Sequence, residues 1–488
     1  MPRDDLRVSE RYDLVAIGGG TTGLVATLTA AGVGARTTLI ERNRTGGDCL
    51  WTGCVPSKAL LASAARAQAV RTAGELGVRV GAPEIDFGAV MARVRSVIEA
   101  VGRKDTPAYL ESQGVELVSA GARFAGPGRI EAGGRELSFR MALIGTGSRP
   151  TLPPIAGLEA VEPLTNESIF ELEQLPERLA VLGGGPIGCE LGQGFARLGS
   201  QVALVEGLDR LLPREEPFAG ERLAGILEAE GVAVHTGVAA TGIDPQGSGA
   251  GVLRLADGSE IRFDRILVAT GRQPITDGLD LERVGVETDE RGAIVVDDRL
   301  RTTGSRIFAG GDCVGDLQFT HVASYHGLVA VANGLFRARQ KVERDWTPWA
   351  TFTDPEVAHV GLTEEQARDR HGDRVETYSY DYSELDRALT AGTPGAVKLI
   401  TGRRGRLLGA TIVSTAAGES ISEAARLIRE KGKVADLSQM IHVFPTYTEG
   451  PARAADDYWR RRFFTPRARR WFRPLLALLR VLDRPRRR

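Results

Sequence analysis

One pattern occurs twice in this chain, and it restricts the fold more than any other feature of the sequence. The apolar run Tyr12-Asp13-Leu14-Val15-Ala16-Ile17 leads directly into Gly18-Gly19-Gly20-Thr21-Thr22-Gly23 and an Ala-rich stretch of helical character. A second strand, Arg36 to Ile40, ends at Glu41. The same order returns at Leu179-Ala180-Val181-Leu182, then Gly183-Gly184-Gly185-Pro186-Ile187-Gly188, then a strand from Gln201 to Val205 that ends at Glu206. In both copies the acid lies 23 residues after the first glycine. Glycines in such a turn let the backbone approach a pyrophosphate, and the helix N-terminus offers it free N–H groups and a partial positive charge. A carboxylate at the end of the second strand accepts hydrogen bonds from a ribose diol. The residues therefore predict two dinucleotide sites in one chain.

Each copy closes on a related phrase, Ile144-Gly145-Thr146-Gly147-Ser148-Arg149-Pro150 and Val268-Ala269-Thr270-Gly271-Arg272-Gln273-Pro274. A strand ending in a tight turn beside the nucleotide is expected for both, around Gly147 and Gly271. The stretch from Asp86 to Ser112 reads as helical, an excursion within the first nucleotide domain. Beyond the second copy, Arg306-Ile307-Phe308-Ala309-Gly310-Gly311-Asp312-Cys313 reads as a strand ending in an acidic turn, with a helix from His321 to Phe336. Asp312 suits either a polyol hydroxyl or a helix cap.

The segment Gly46 to Lys58 holds Cys49 and Cys54, two of only four cysteines. On ideal helix geometry residues i and i+5 lie about 8.6 Å apart at Cα, beyond the roughly 7 Å limit for a disulfide. A bond between them requires a distorted backbone, which Gly53 is placed to allow. A redox-active disulfide and two unrelated buried thiols both fit this spacing.

At 488 residues the chain is long for a single core, and about three domains are expected. Four cysteines are too few for a secreted disulfide scaffold, and Met1-Pro2-Arg3-Asp4-Asp5 is no apolar signal, so the expected compartment is a reducing cytoplasm. From about Trp346 the pattern changes: Ala396 to Ile400 and Leu407 to Val413 alternate around a polar turn at Gly402 to Gly405, a hairpin signature, and a helix follows from Gly418 to Lys431. This reads as an α+β domain without a phosphate loop, suited to subunit contact.

Taken together, the two nucleotide units, the C-x4-C beside the first and the α+β C-terminal domain resemble the flavin-dependent pyridine nucleotide-disulfide oxidoreductases. That group includes dihydrolipoamide dehydrogenase, glutathione reductase and mercuric reductase. The resemblance runs from about Arg11 to Ala455. It implies an α/β chain with two Rossmann-like dinucleotide-binding domains, for FAD and NAD, plus an α+β C-terminal dimerisation domain. The expected boundaries are 1–155 with 276–345 for FAD, 156–275 for NAD(P), 346–458 for dimerisation and 459–488 for a basic amphipathic tail. It also implies a homodimer whose active sites use both subunits.

By the same resemblance Gly18, Gly20, Gly23, Glu41, Gly47, Gly147, Gly311 and Asp312 hold FAD, with Asp312 at its ribityl chain. Gly183, Gly185, Gly188, Glu206 and Gly271 hold the nicotinamide nucleotide. Cys54 matches the thiol nearest the flavin and Cys49 the one that exchanges with substrate. Lys58 matches a lysine at the reactive flavin edge, where an ammonium stabilises negative charge, and Glu190 matches its acidic partner. Glu206 accepts from a free 2'-hydroxyl and repels a 2'-phosphate, so NADH is preferred over NADPH.

Two departures from the family pattern narrow the expected chemistry. Members that act on thiols carry His-Pro-Thr-x-x-Glu, whose His exchanges protons with the cysteine and whose Glu orients it. Here the segment reads Ile441-His442-Val443-Phe444-Pro445-Thr446-Tyr447-Thr448-Glu449, with Phe444 at the catalytic position. A phenyl ring transfers no proton, and general acid–base help is typically worth ~10²–10⁴-fold. His442, on the same side of a strand as Phe444, and Tyr447 are the substitutes the segment offers, with Glu449 retained.

The second departure is the tail, where residues 460–488 hold twelve Arg against Asp483, about +11, while the formal charge of the whole chain is -1. Trp471, Leu475, Leu479 and Leu482 recur at helical spacing, which fits an anchor on anionic lipid. Nucleic acid is not expected, since no recognition fold accompanies the charge. No metal site is expected. The expected function is electron transfer from NADH through flavin, and through Cys49 and Cys54, to a small-molecule acceptor, with a quinone favoured. A disulfide or metal-ion reductase is the enzymatic alternative, and a membrane-associated flavin redox sensor the non-enzymatic one.

Overall fold

The computed structural model describes residues 11–483. The chain divides into two compact units: one contains the chain up to Leu211 together with Ala224–Glu343, the other Leu212–Leu223 and the chain from Arg344 onward.

The first unit carries both repeats. Its larger sheet has the order Val115–Ser119, Thr37–Glu41, Arg11–Ile17, Arg135–Ile144, Arg129–Ala132, Ala122–Gly126, with Ile307–Ala309 added beside the end of Arg135–Ile144. Arg11–Ile17 is central and parallel to both neighbours, pairing Leu14 with Thr37 on one side and Met141 on the other. Tyr12, Leu14, Val15 and Ala16 are fully buried, as expected where helices cover both faces of a parallel sheet. Helix Thr21–Gly32 packs on helix Thr320–Phe336.

The second repeat builds a four-stranded parallel sheet in the order Ala233–Thr236, Gln201–Glu206, Arg178–Leu182, Arg265–Val268. The two closing phrases do more than turn. Ser148–Pro150 and Arg272–Pro274 pair with each other as a short antiparallel ladder, so each copy ends against the other. The stretch from Asp86 forms two helices, Phe87–Val101 and Pro107–Ser112. Asp86 caps the first by accepting from the Ala89 amide at 2.9 Å.

In the second unit five antiparallel strands run Pro348–Thr351, Glu356–Gly361, Leu407–Ser414, Ala396–Thr401, Glu376–Asp381. The hairpin expected around Gly402 to Gly405 joins Ala396–Thr401 to Leu407–Ser414, and helix Ala417–Arg429 lays Ile421 and Ala424 on the core beside Leu399 and Ile412. Segment Leu212–Leu223 is tied into this unit by buried carboxylates. Lys398 Nζ meets Glu216 Oε2 at 2.6 Å, and Trp349 Nε1 donates to Glu215.

Helix Glu449–Phe463 is followed by helix Pro466–Leu482, whose N-terminus Thr465 caps by accepting from the Ala468 amide at 3.1 Å. The second of these buries none of its residues. The last part of the basic tail, 484–488, lies outside the described residues.

Candidate active site

The site is assembled at the first glycine turn. Gly18 has φ +105, and a Cβ there would lie 2.3 Å from the Gly145 carbonyl oxygen, so only glycine lets the two strand ends meet. A Cβ on Gly23 would sit 2.0 Å from the Gly18 carbonyl oxygen, which fixes how closely the helix returns to the turn. No side chain caps helix Thr21–Gly32 at Gly20, so its first N–H groups are open to an anion. Glu41 stands at the expected strand end, accepting from the Gly19 amide at 2.6 Å and the Asn43 amide at 2.6 Å.

The cysteine segment covers this turn. Gly46 and Gly47 both have positive φ, and a Cβ on Gly47 would fall 2.6 Å from Gly20 Cα. Helix Gly47–Trp51 carries Cys49; it stops at Thr52 and Gly53, and helix Cys54–Arg71 begins with the second thiol. A Cβ on Gly53 would lie 2.9 Å from the Asp48 carbonyl oxygen and 3.2 Å from Cys49 Cα. The glycine thus permits the sharp return that brings Cys54 back to Cys49. Both are free thiols in this structure.

Their protonation states are driven apart. The Cys54 thiol is lowered to about 6, first by the hydrogen bond from Cys49, then by Thr320 and the charge of Lys58, against burial. Its place as first residue of a helix adds in the same direction. Cys49 is pushed up, chiefly because it donates to Cys54, and further by burial. Thr320 Oγ1 lies 3.4 Å from Cys54 Sγ. Lys58, one turn along the same helix, reaches Glu190 Oε2 at 2.6 Å, and Glu190 is buried on helix Pro186–Leu198.

Asp312 comes to the same end of the sheet. Ser148 Oγ donates to its Oδ2 at 2.6 Å, and Arg272 Nε lies 3.8 Å away. Burial pushes its carboxyl up. Arg272 also reaches Asp48 Oδ2 at 3.2 Å and Asn166 Oδ1 at 3.2 Å, so a residue of the second closing phrase holds the helix that bears Cys49. Gly311 has φ +75 and donates its amide to His326 Nδ1 at 3.1 Å. Gly147 has φ +73 with open space beside it.

The second turn reproduces the first. Gly183 has φ +108, and Cβ atoms on Gly183 and Gly188 would lie 2.4 Å from the Ala269 carbonyl oxygen and 1.9 Å from the Gly183 carbonyl oxygen. Glu206 accepts from the Gly184 amide at 2.7 Å and the Leu208 amide at 2.8 Å. Helix Pro186–Leu198 has no side-chain cap, Gly185 has nothing within 4 Å of an added Cβ, and neither has Gly271.

Cys49, Cys54, Lys58 and Glu190 are therefore gathered in the first unit. His442 and Glu449 belong to the second, and there they do not meet. His442 Nε2 is 3.0 Å from Glu423 Oε2, while Glu449 is buried and accepts from the Thr446 amide at 3.2 Å. The segment forms no strand, so no alternation relates His442 to Phe444; Phe444, followed by a cis peptide to Pro445, is 63 % exposed. Tyr447 hydroxyl pairs with Thr393 Oγ1 at 2.8 Å. Sequence reasoning did not single out Thr320, Ser148, Asn166 or Arg272. Ser148 and Arg272 sit in the duplicated closing phrases, the one signal that pointed toward them; Thr320 and Asn166 carry no local mark.

Both turns fit a dinucleotide: each leaves an uncapped helix N-terminus behind a turn whose first and last glycines, Gly18 and Gly23 or Gly183 and Gly188, admit no Cβ, with a carboxylate at the adjacent strand end. Comparison with known proteins gives the same answer. Residues 12–327 match the model of the pyridine nucleotide-disulphide oxidoreductases, and residues 347–455 match the dimerisation domain of that family. The chain is 37% identical over 463 residues to a mercuric reductase of Streptomyces lividans, covering 93% of this chain and 97% of that one. It is 37% identical over 454 residues to a dihydrolipoyl dehydrogenase of Thermus scotoductus, covering 91% and 97%. The crystal structure of LpdA from Mycobacterium tuberculosis superimposes with a TM-score of 0.83 at 28% identity, over 91% of this chain and 99% of that one. These relatives are enzymes, which leaves the non-enzymatic sensor without support. The chain belongs to the class I pyridine nucleotide-disulfide oxidoreductases, enzymes that bind FAD and a pyridine nucleotide.

Proposed function

We propose that this chain forms a homodimeric NADH:acceptor oxidoreductase whose acceptor is a quinone and not a disulfide. The observation that carries this reading is Phe444, which stands where thiol-exchanging relatives of the family place their proton-transferring histidine. His442 is occupied with Glu423, and Tyr447 with Thr393. A quinone takes its protons from water, so NADH + H⁺ + quinone gives NAD⁺ + quinol without that histidine.

In this reading FAD lies on Gly18, Gly20, Gly23, Glu41, Gly47 and Gly147, with Gly311 and Asp312 at its polyol chain, within 1–155 and 276–345. The nicotinamide nucleotide lies on Gly183, Gly185, Gly188, Glu206 and Gly271, within 156–275, and residues 346–458 form the subunit contact. Bound FAD supplies a carrier that takes two electrons from the nicotinamide and releases them to the acceptor. Lys58, held by Glu190 at 2.6 Å, lies near enough to Cys54 for its charge to lower that thiol. Glu206 selects the free 2'-hydroxyl of NADH.

The tail supports a membrane quinone. Helix Pro466–Leu482 exposes Trp471, Leu475, Leu479 and Leu482 beside Arg467, Arg469, Arg470 and Arg473, a pattern suited to an anionic lipid surface. Among the described residues no helix is long and apolar enough to cross a membrane. Sedimentation with phosphatidylserine vesicles tests the anchor: protein truncated after Asp457 should lose binding, and unchanged binding refutes it. For the acceptor, NADH oxidation is compared with a soluble quinone and with lipoamide. Quinone turnover that survives Cys49→Ser is expected; fast lipoamide turnover without quinone activity overturns the proposal.

One observation favours a second acceptor class. The Cys54 thiol, lowered to about 6, lies next to a second sulfur, and sulfur ligands of this kind suit a soft metal ion, whose binding displaces the Cys49 proton. A metal-ion reductase of this kind loses its activity in Cys49→Ser.

A further inference from the structure

The glycine turns lie at the C-terminal ends of the parallel strands. The opposite edge of the same sheet borders a cavity of about 490 Å³. Five arginines line it: Arg11 at the start of its strand, Arg140 within Arg135–Ile144, Arg301 and Arg306 ahead of Ile307–Ala309, and Arg337 at the end of helix Thr320–Phe336. Among the described residues no carboxylate lines it. Arg140 is paired with Asp13 at 2.6 Å. Arg11 also acts on the Asp13 carboxylate through its charge, and the guanidinium groups of Arg301, Arg306 and Arg337 form no ion pair among the described residues.

Two of these arginines occupy backbone positions that favour glycine, with φ 63 at Arg306 and φ 56 at Arg337. The partial negative charge of a helix C-terminus accounts for Arg337 alone, since it fades within a turn and does not reach the three strand-edge arginines.

We propose that this cavity binds a small polyanion carrying two or more phosphate groups, at a site separate from both dinucleotide turns. Its volume falls in the range of about 300–1,000 Å³ typical of small-ligand pockets. Guanidinium groups match phosphate oxygens in bidentate fashion, and several of them facing one space lower their mutual repulsion when an anion enters. A single carboxylate would leave most of the charge of Arg301, Arg306 and Arg337 uncompensated.

The test is calorimetric titration of the full-length, flavin-loaded enzyme, saturated with NAD⁺ so that both nucleotide turns are filled, with inorganic tripolyphosphate. Arg11→Gln/Arg301→Gln is compared with a tail variant, Arg467→Gln/Arg469→Gln/Arg470→Gln. Arg11 interacts with Asp13 through its charge, so equal thermal midpoints are required to show that the fold is kept. The proposal expects saturable binding that is weakened at least about tenfold in the pocket variant. Binding in the tail variant should stay within about twofold. Binding unchanged in the pocket variant, binding lost in the tail variant, or no saturable binding to the unaltered enzyme overturns it.

Discussion

The two glycine turns are close copies in backbone and differ in what lies over them. Gly18 and Gly183 have φ +105 and +108, and a Cβ on Gly23 or Gly188 would come within 2.0 or 1.9 Å of the Gly18 or Gly183 carbonyl oxygen. Glu41 and Glu206 accept from the Gly19 and Gly184 amides, at 2.6 and 2.7 Å. Above the first turn, however, Gly47 packs onto Gly20 and brings the helix of Cys49 with it, whereas Gly185 faces open space. A covered turn suits a group that stays; an open one suits a nucleotide that arrives and leaves each cycle. In the proposed reading this fixes the thiol pair to the resident group, because the segment that covers the turn also carries Cys49.

The strongest way to break this comparison is a pair of glycine changes. Gly23→Ala should yield protein without flavin, seen as loss of the 450 nm band, because the methyl would overlap backbone that cannot retreat. Gly188→Ala should keep its flavin and raise the KM for NADH by about 100-fold or more, equivalent to roughly 3 kcal/mol of overpacking. Loss of flavin from both would mean the turns are not independent.

Smaller effects sharpen the contrast. Gly47→Ala should destabilise by about 1–3 kcal/mol in thermal unfolding, while Gly185→Ala stays within about 0.5 kcal/mol. Glu206→Gln, which weakens charge-assisted acceptance, should raise the KM for NADH about tenfold and narrow its advantage over NADPH; Glu41→Gln should leave KM unchanged. In the reduced enzyme, thiolate absorbance near 240 nm should persist down to pH 6 and fade below it, since the folded value of Cys54 is lowered to about 6. Cys49→Ser replaces the thiol donor and should move that midpoint by about one unit.

The duplicated units were legible because each is local: a strand, a turn and a helix are written within 24 consecutive residues, from glycine to acid. The glycines announce the close approaches that the structure then shows. What was hidden depends on distance along the chain. Thr320 stands 266 residues from the thiol it touches, and Arg272 joins Asp48 only because two three-residue strands pair across the copies. The attachment of Leu212–Leu223 to the second unit rests on Glu215 and Glu216, whose burial no periodicity reveals. For His442, alternation failed as a guide because the residues around Pro445 find no ladder partner and form no strand.

Helix Pro466–Leu482 buries none of its 17 residues, and that separates it from the rest of its unit in cooperativity. Isolated helices of about this length are marginal in water, and packing normally supplies what propensity lacks. Pro474 inside the helix removes one of its backbone hydrogen bonds. Its melting should therefore precede and be uncoupled from the loss of the five-stranded sheet, as a shallow early slope in the 222 nm ellipticity. Whatever surface covers its apolar side would convert that slope into part of the main transition.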